Sequence, residues 1–407
     1  MRHGLEDLLG QRIYGLVLGY DDANDAARRA ADPMHKLLLG RDPVTGDDLA
    51  SQPTLSRFEN GVPRGELLRM SEALFEAVIT RHRRRRRKVR RITVDLDVTD
   101  DPTHGAQQLS FFNGFYHTWC YLPLLAFLTF DRESEQYLCA AALRPGNAST
   151  QRGALPMLKR ILQSLQERFP EARILVRLDG GFAEPELFTF LDEVGADYVV
   201  GLAKNDVLER RAALDMIAVR AQSLASGQTE HLYTDLTYGA GTWDRERRVI
   251  LKAEVVQLEG REMRDNPRFV VTNLNGSPRH IYQRLYCQRG EIENRIKELF
   301  DVALDRTSCS RFLANAFSLI PLRTKLREAI WLNRAIRWIG QAARGLDRTA
   351  APPSQVHRRA KGMARGRGAR SLHLLRRSDP TTPSLRSEPR WVGSGCARYD
   401  GAASDIA

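Results

Sequence analysis

Apolar and polar positions alternate strictly from Ile92 to Thr99, with Val94, Leu96 and Val98 facing one way and Thr93, Asp95, Asp97 and Thr99 the other. That two-residue period predicts a half-buried strand with acids on its open face. Further strand-like runs follow at Phe111–His117, Trp119–Phe130 and Gln136–Leu143. Residues 152–168 change to a helical period, with Leu155, Leu158, Ile161, Leu162 and Leu165 forming one stripe. Arg173–Asp179 is a second strong strand and also ends on an acid; a helix at Pro185–Val194 and a strand at Asp197–Ala203 come next. Strands and helices in this order predict a mixed α/β sheet.

On either side the text differs. Residues 1–80 read as helical, with Leu5, Leu9 and Ile13 at helical spacing, and again Leu67, Met70, Leu74 and Val78. Turns at Asp32-Pro33, Asp42-Pro43 and Gly61–Pro63 break that region. From 205 a helix runs to about Ala225. Short strands follow at His231–Tyr238, Arg248–Leu258 and Phe269–Asn273, which predicts a β-rich insertion. Helical text resumes over Ile281–Phe300 and Arg311–Ala343, after which the chain is rich in Arg, Ser, Pro and Gly with little periodicity. The predicted organisation is a helical N-terminal DNA-binding region over 1–90, a core over 91–204, the β-rich insertion over 205–280, core completion over 281–345 and a basic, mostly disordered tail over 346–407.

A chain of 407 residues can bury two or three cores. No run of 18 apolar residues appears, and Tyr121–Phe130 is too short to span a bilayer, so no membrane association is expected. The N-terminus lacks the apolar segment of a secretory signal. Five cysteines without a Cys-x-x-Cys pair point to reduced thiols in a cytoplasm and away from structural zinc. The net charge of +12 is concentrated in blocks: residues 81–91 carry +9 and residues 351–407 carry +7, leaving a mildly acidic body. Arginine forks neutralise phosphates, so Arg83, Arg84, Arg85, Arg86 and Arg87 are candidate DNA contacts. A solvated basic linker would show the same composition.

The candidate chemistry lies in the acids. A strand-borne Asp95 or Asp97, Asp179 and a glutamate from the 281–300 helix could together hold two hard divalent cations, which prefer oxygen ligands. Such a pair activates an attacking oxygen and stabilises a leaving one in phosphoryl transfer. Asp179 leads into Gly180-Gly181, where bare backbone admits a ligand. In the helix, Tyr286, Arg289, Glu293 and Lys297 advance by three, four and four and so share one face, with Leu285, Ile292, Ile296 and Leu299 opposite. An ordinary salt-bridged surface helix would satisfy the same spacing.

The residues Val94–Pro102 with His104-Gly105, Phe111–His117, Cys120–Leu124, Leu143–Asn147, Leu178–Phe182, Tyr198–Asn205 and Tyr286–Lys297 occur in an order that resembles bacterial insertion-sequence transposases of the DDE class. The likeness is greatest to the branch with a Tyr-x-x-Arg-x-x-x-Glu signature and, within it, to the "thirteen-eighty" insertion-sequence family. The resemblance implies a ribonuclease-H-like core interrupted by a β-rich insertion. It implies Asp97, in its Asp-x-Thr context, as the first catalytic and metal-binding acid, with Asp95 as fallback. Asp179 is then the second acid and Glu293 the third, ahead of Glu291. It implies two Mg²⁺ (or Mn²⁺) ions, and DNA contacts from Tyr286, Arg289, Arg295 and Lys297. Trp243 becomes a candidate to stack on an unpaired base. The signature's later lysine falls at Phe300, with Lys297 a candidate to replace it, and the N-terminus begins inside the family pattern.

The expected function is therefore metal-dependent cleavage and strand transfer at insertion-sequence ends. The expected partners are double-stranded DNA, as terminal inverted repeats and target, and a second copy of the chain on paired ends. The rival readings are a catalytically inactive DNA-binding remnant and an unrelated small-molecule phosphohydrolase.

Overall fold

A computed structural model describes residues 3–18, 20, 22–85, 88–300, 307 and 309–319, all within one compact unit, Met1–Lys325. Four helices come first: α1 (Leu5–Val17), α2 (Pro33–Leu38), α3 (Gln52–Asn60) and α4 (Arg64–Arg84). Asp32 caps α2 by accepting from the His35 N–H, with Pro33 in the first turn where no donor is missed. The buried Arg12–Glu59 ion pair ties α1 to α3. One face of α4 buries Leu67, Leu74, Phe75, Val78 and Ile79, and His82 stacks on Phe130.

The next elements are β1 (Arg91–Val98), β2 (Asp101–Pro102), β3 (Phe111–Asn113), β4 (Thr118–Tyr121), β5 (Leu124–Phe130), β6 (Tyr137–Ala142), α5 (Ala154–Arg168), β7 (Arg173–Leu178), α6 (Pro185–Glu193) and β8 (Asp197–Leu202). They are followed by α7 (Asp206–Ser226), β9 (Glu230–Tyr238), β10 (Arg247–Val256), β11 (Arg264–Asp265), β12 (Arg268–Thr272), α8 (Pro278–His280) and α9 (Glu291–Phe300). The main sheet runs β11-β10-β12-β8-β7-β1-β5-β6, with β9 also on β10, and β2, β4 and β3 make a second small sheet. In the main sheet β1, β7 and β8 are mutually parallel, and β5 runs antiparallel to β1. The chain is thus a mixed α/β protein.

One sheet face packs Val94, Leu96, Val176 and Leu178 under Leu158, Ile161, Leu162 and Leu165 of α5. The other packs Leu125 and Phe127 against Ile292, Ile296 and Leu299 of α9 and Leu74 of α4. The acid face of β1 is therefore not open. Asp95 is fully buried and Asp97 nearly so, because β1 is a central strand covered on both sides.

The structure adds detail to three further segments. Trp119–Phe130 is two strands, since Pro123 has no N–H and the chain switches from β2 and β3 to β1 across it. The strands of 205–280 form no separate sheet; β12 pairs with β8 and prolongs the main one. Residues 281–300 are not one uniform helix. Residues Ile281–Tyr286 form a π-helical turn and Cys287–Gly290 a 3₁₀ turn before α9 begins. Residues 312–319 are helical, while the rest of the predicted 311–343 helix and the 346–407 tail lie outside the described residues. Among the described residues no helix is long and apolar enough to cross a membrane. Among the described residues Cys120, Cys139 and Cys309 are free.

Candidate active site

Two neighbouring parallel strands build the site in layers. β1 carries Asp95 and then Asp97; β7 carries Arg177 and then Asp179 just past its end. Strand register sets Asp95 directly opposite Arg177. The Arg177 guanidinium donates to both Asp95 oxygens at 2.7 Å, and its Nη1 donates to the Leu285 carbonyl at 3.1 Å. The fallback acid is thus held in a buried bidentate pair that also ties the π-helical turn to the sheet.

Beyond the last paired residues, Asp95 and Arg177, come two acids, Asp97 and Asp179, and the charge of Asp179 acts on the Asp97 carboxyl. Asp179 Oδ1 accepts from the Gly181 N–H at 2.9 Å, fixing the turn after β7. Asp97 Oδ1 accepts from the Val98 N–H, and its Oδ2 accepts from Arg289 Nη1 at 3.2 Å. Burial pushes the Asp97 carboxyl up to about 6, Arg289 opposes the shift, and Asp179 and then Glu293 add to it. Burial would lower the Arg289 guanidinium, but Asp97, Asp179, Tyr286 and Glu293 outweigh it and hold it above its ordinary value. These influences bring Asp97, Asp179, Glu293, Arg289 and Tyr286 into one electrostatic cluster.

The irregular turns explain how. A π turn followed by a 3₁₀ turn breaks the even helical step between Tyr286, Arg289 and Glu293, and such turns mark functional positions in helices. Tyr286 reaches the cluster over Gly201, where an added Cβ would stand 2.6 Å from its hydroxyl and 2.7 Å from the Gly180 nitrogen. Burial raises the Tyr286 phenol, with Asp179 adding to the shift and Arg289 opposing it.

The other predicted residues fall elsewhere. Glu291 is exposed and donates nothing to the cluster; Asn294 Nδ2 bonds it at 3.3 Å. Arg295 pairs with Glu298 at 2.8 Å, and Lys297 is exposed. Trp243 is half-buried, packed against Phe188 and Tyr238 with Arg247 over its ring. Arg83 and Arg84 end α4 exposed, Arg85 pairs with Glu133 at 2.5 Å, and Arg86 and Arg87 lie outside the described residues. At the start of β1, Lys88, Arg90, Arg91, Asp131 and Arg132 line a recess with four cations and one acid. At about 3.3 Å per residue, β1 separates that recess from Asp97 by roughly 20 Å.

Sequence reasoning missed Arg177, Gly201 and the Leu285 carbonyl. A lone cation inside an apolar strand, two residues before an acid, was the available signal for Arg177.

The donor chemistry of Asp97, Asp179 and Glu293 suits a hard divalent cation, because all three offer oxygen and their mutual repulsion calls for positive charge. Among the described residues no group of three or more His, Cys, Asp or Glu side chains is arranged to hold a metal. Arg289 meets part of that demand for positive charge by pairing with Asp97.

A family model described as transposase DDE domain group 1 matches residues 1–346. The chain belongs to this family. As a DDE transposase domain protein it is of a class that acts on DNA as a transposition nuclease. No curated protein matches the chain.

Proposed function

We propose that this DDE transposase cuts DNA at the ends of a "thirteen-eighty"-type insertion sequence and joins the freed end to target DNA. The observation that carries the reading is the buried Asp97–Arg289 contact, with Asp179 and Glu293 near enough to act on the charge of both groups. The proposed reaction is hydrolysis of one phosphodiester at the element end, then attack of the freed 3′-hydroxyl on a target phosphodiester. Strands β1 and β5–β8 would be the ribonuclease-H-like core, with 205–280 as its β-rich insertion.

Asp97, Asp179 and Glu293 would hold two Mg²⁺ or Mn²⁺ ions, which when bound supply Lewis-acid activation and charge neutralisation. Asp95 keeps its structural partner Arg177 and sets the height of Asp97 above it. Arg289 would leave Asp97 for the DNA phosphate, since a guanidinium binds phosphate and carboxylate by the same fork. Tyr286, pinned over Gly201, would orient that phosphate. The exposed Arg83 and Arg84 would contact the duplex backbone away from the cut.

The Arg289–Asp97 pair also favours a second reading, a chain that grips DNA without cutting it. Both readings are separated by a nicking assay with Mg²⁺ or Mn²⁺ on DNA carrying the flanking element ends. Nicking that Asp179→Ala and Glu293→Ala abolish supports the enzyme. Retained DNA binding with no nicking by the wild-type chain supports the remnant. Undiminished cleavage by Asp179→Ala would sink the site assignment.

A further inference from the structure

From Pro102 to Phe130 the chain carries no Asp, Glu, Lys or Arg, although 28% of all residues are charged. Five of the nine residues from Phe111 to Trp119 are aromatic. This segment forms the small β2-β4-β3 sheet, in which Phe112 lies directly opposite Trp119. Their rings meet edge to face at 6.4 Å and are 54% and 58% exposed, while the neighbouring Cys120 on the other face is fully buried.

The platform is fixed rather than loose. Asn113 Nδ2 donates to the Gly146 carbonyl at 2.9 Å, and Tyr121 bridges to Pro145. An added Cβ on Gly146 would strike the Phe111 and Cys120 backbone, so only glycine allows this docking. Leu109 before β3 and His117 in the turn before β4 have φ 64° and 53°, two of three left-handed non-glycine residues among those described. The ribbon itself prolongs the site: β1 and β5 pair as far as Val98 and Leu124, and the same two chain segments pair again as Asp101 with Tyr121. Trp119 therefore lies some six residues past Asp97 along one ribbon, roughly 20 Å at most.

We infer that Phe112 and Trp119 form a stacking platform for unpaired bases of the DNA strand leaving the cut. The inference rests on the DNA-cleavage reading above and adds a site to it. Base faces stack on aromatic rings without needing charge, whereas the segment from Pro102 to Phe130 itself offers no cation to a duplex backbone. A second copy of the chain fits less well. Phe112, Phe115 and Trp119 together offer only about 300 Å², since each such ring buries ~150–250 Å² and these are little over half exposed. A stable interface needs about 800 Å² from each partner.

The test titrates the full chain, with metal chelated, against a duplex carrying a single-stranded tail with 2-aminopurine at successive positions, and against its blunt counterpart. Wild-type protein is expected to quench the tail fluorescence. Phe112→Ala and Trp119→Ala should each weaken tail binding about tenfold while moving blunt-duplex binding less than about twofold. Trp119→Tyr, which keeps a ring, should restore it, and an unchanged unfolding midpoint shows that the variants fold. Equal weakening on both DNAs, or none, overturns the platform. So does retained tail binding by variants that sediment as smaller species than the wild type, because the patch is then a protein interface. Tail-specific loss without any metal-dependent nicking keeps the platform and removes the nuclease; nicking without quenching does the reverse.

Discussion

Gly201→Ala tests the packing that brings Tyr286 and Asp179 together. Gly201 is not in the left-handed region, so alanine suffers no backbone strain there and the effect is purely steric. Its Cβ would lie 2.6 Å from the Tyr286 hydroxyl, 2.7 Å from the Gly180 nitrogen and 3.2 Å from the Asp179 carbonyl carbon. Ordinary contact begins at 3.4 Å, so the Gly180 backbone must retreat by about 0.7 Å and the phenol by about 0.8 Å. Overpacking of that size costs about 1–3 kcal/mol, a shift of a few degrees in unfolding midpoint for a chain this long. The retreat moves Asp179, and displacements near 1 Å at a reacting centre lower rates by about a hundredfold. Thermal unfolding reads the first effect, and the nicking assay reads the second. Adding Tyr286→Phe removes one of the two clashes and should recover part of the stability. Wild-type stability and nicking in Gly201→Ala, with no response to the second substitution, would refute the reasoning.

Other perturbations probe the layers beneath and around the site. Arg177→Met leaves Asp95 buried without its partner and should destabilise by about 3–5 kcal/mol in chemical denaturation, much of which Asp95→Leu in the same chain should restore. Ile292→Ala, at a fully buried position between α9 and the sheet, should cost about 2–5 kcal/mol and lower nicking by loosening Glu293; an unchanged denaturation midpoint would exclude that packing. His35 is buried, donates Nε2–H to the Gln11 carbonyl, and is lowered by burial and then by Arg29 to about 4. The unfolded chain therefore binds this proton first, so its contribution is complete above about pH 6.5 and is lost as pH falls towards 4. At 1.36 kcal/mol per unit that loss is at most about 3 kcal/mol. His35→Gln should flatten stability against pH over that window, and an unaltered slope would show that another group titrates.

The local rules were legible because they act over a few residues. Alternation from Ile92 to Thr99 marked β1, and the Leu158–Leu165 stripe marked α5. Asp179 followed by two glycines marked a strand-end turn, and the spacing of Tyr286, Arg289 and Glu293 marked a shared face. What stayed hidden was set by neighbours far along the chain. Periodicity shows that a strand has two faces, but not that both are covered, so the acids of β1 read as exposed when α9 buries them. The choice between Asp95 and Asp97 turns on Arg177, 82 residues away from Asp95. Packing of Trp243 against Phe188 and exposure of Trp119 could not be told apart from composition, since a tryptophan suits either setting until its neighbours are known. Sequence by itself determined the elements, the acidic motif and the family likeness, through periods and turn chemistry local to each segment. Which charges neutralise one another depended on packing between distant segments, because parallel register sets Asp95 opposite Arg177 while the turns before α9 bring Arg289 onto Asp97.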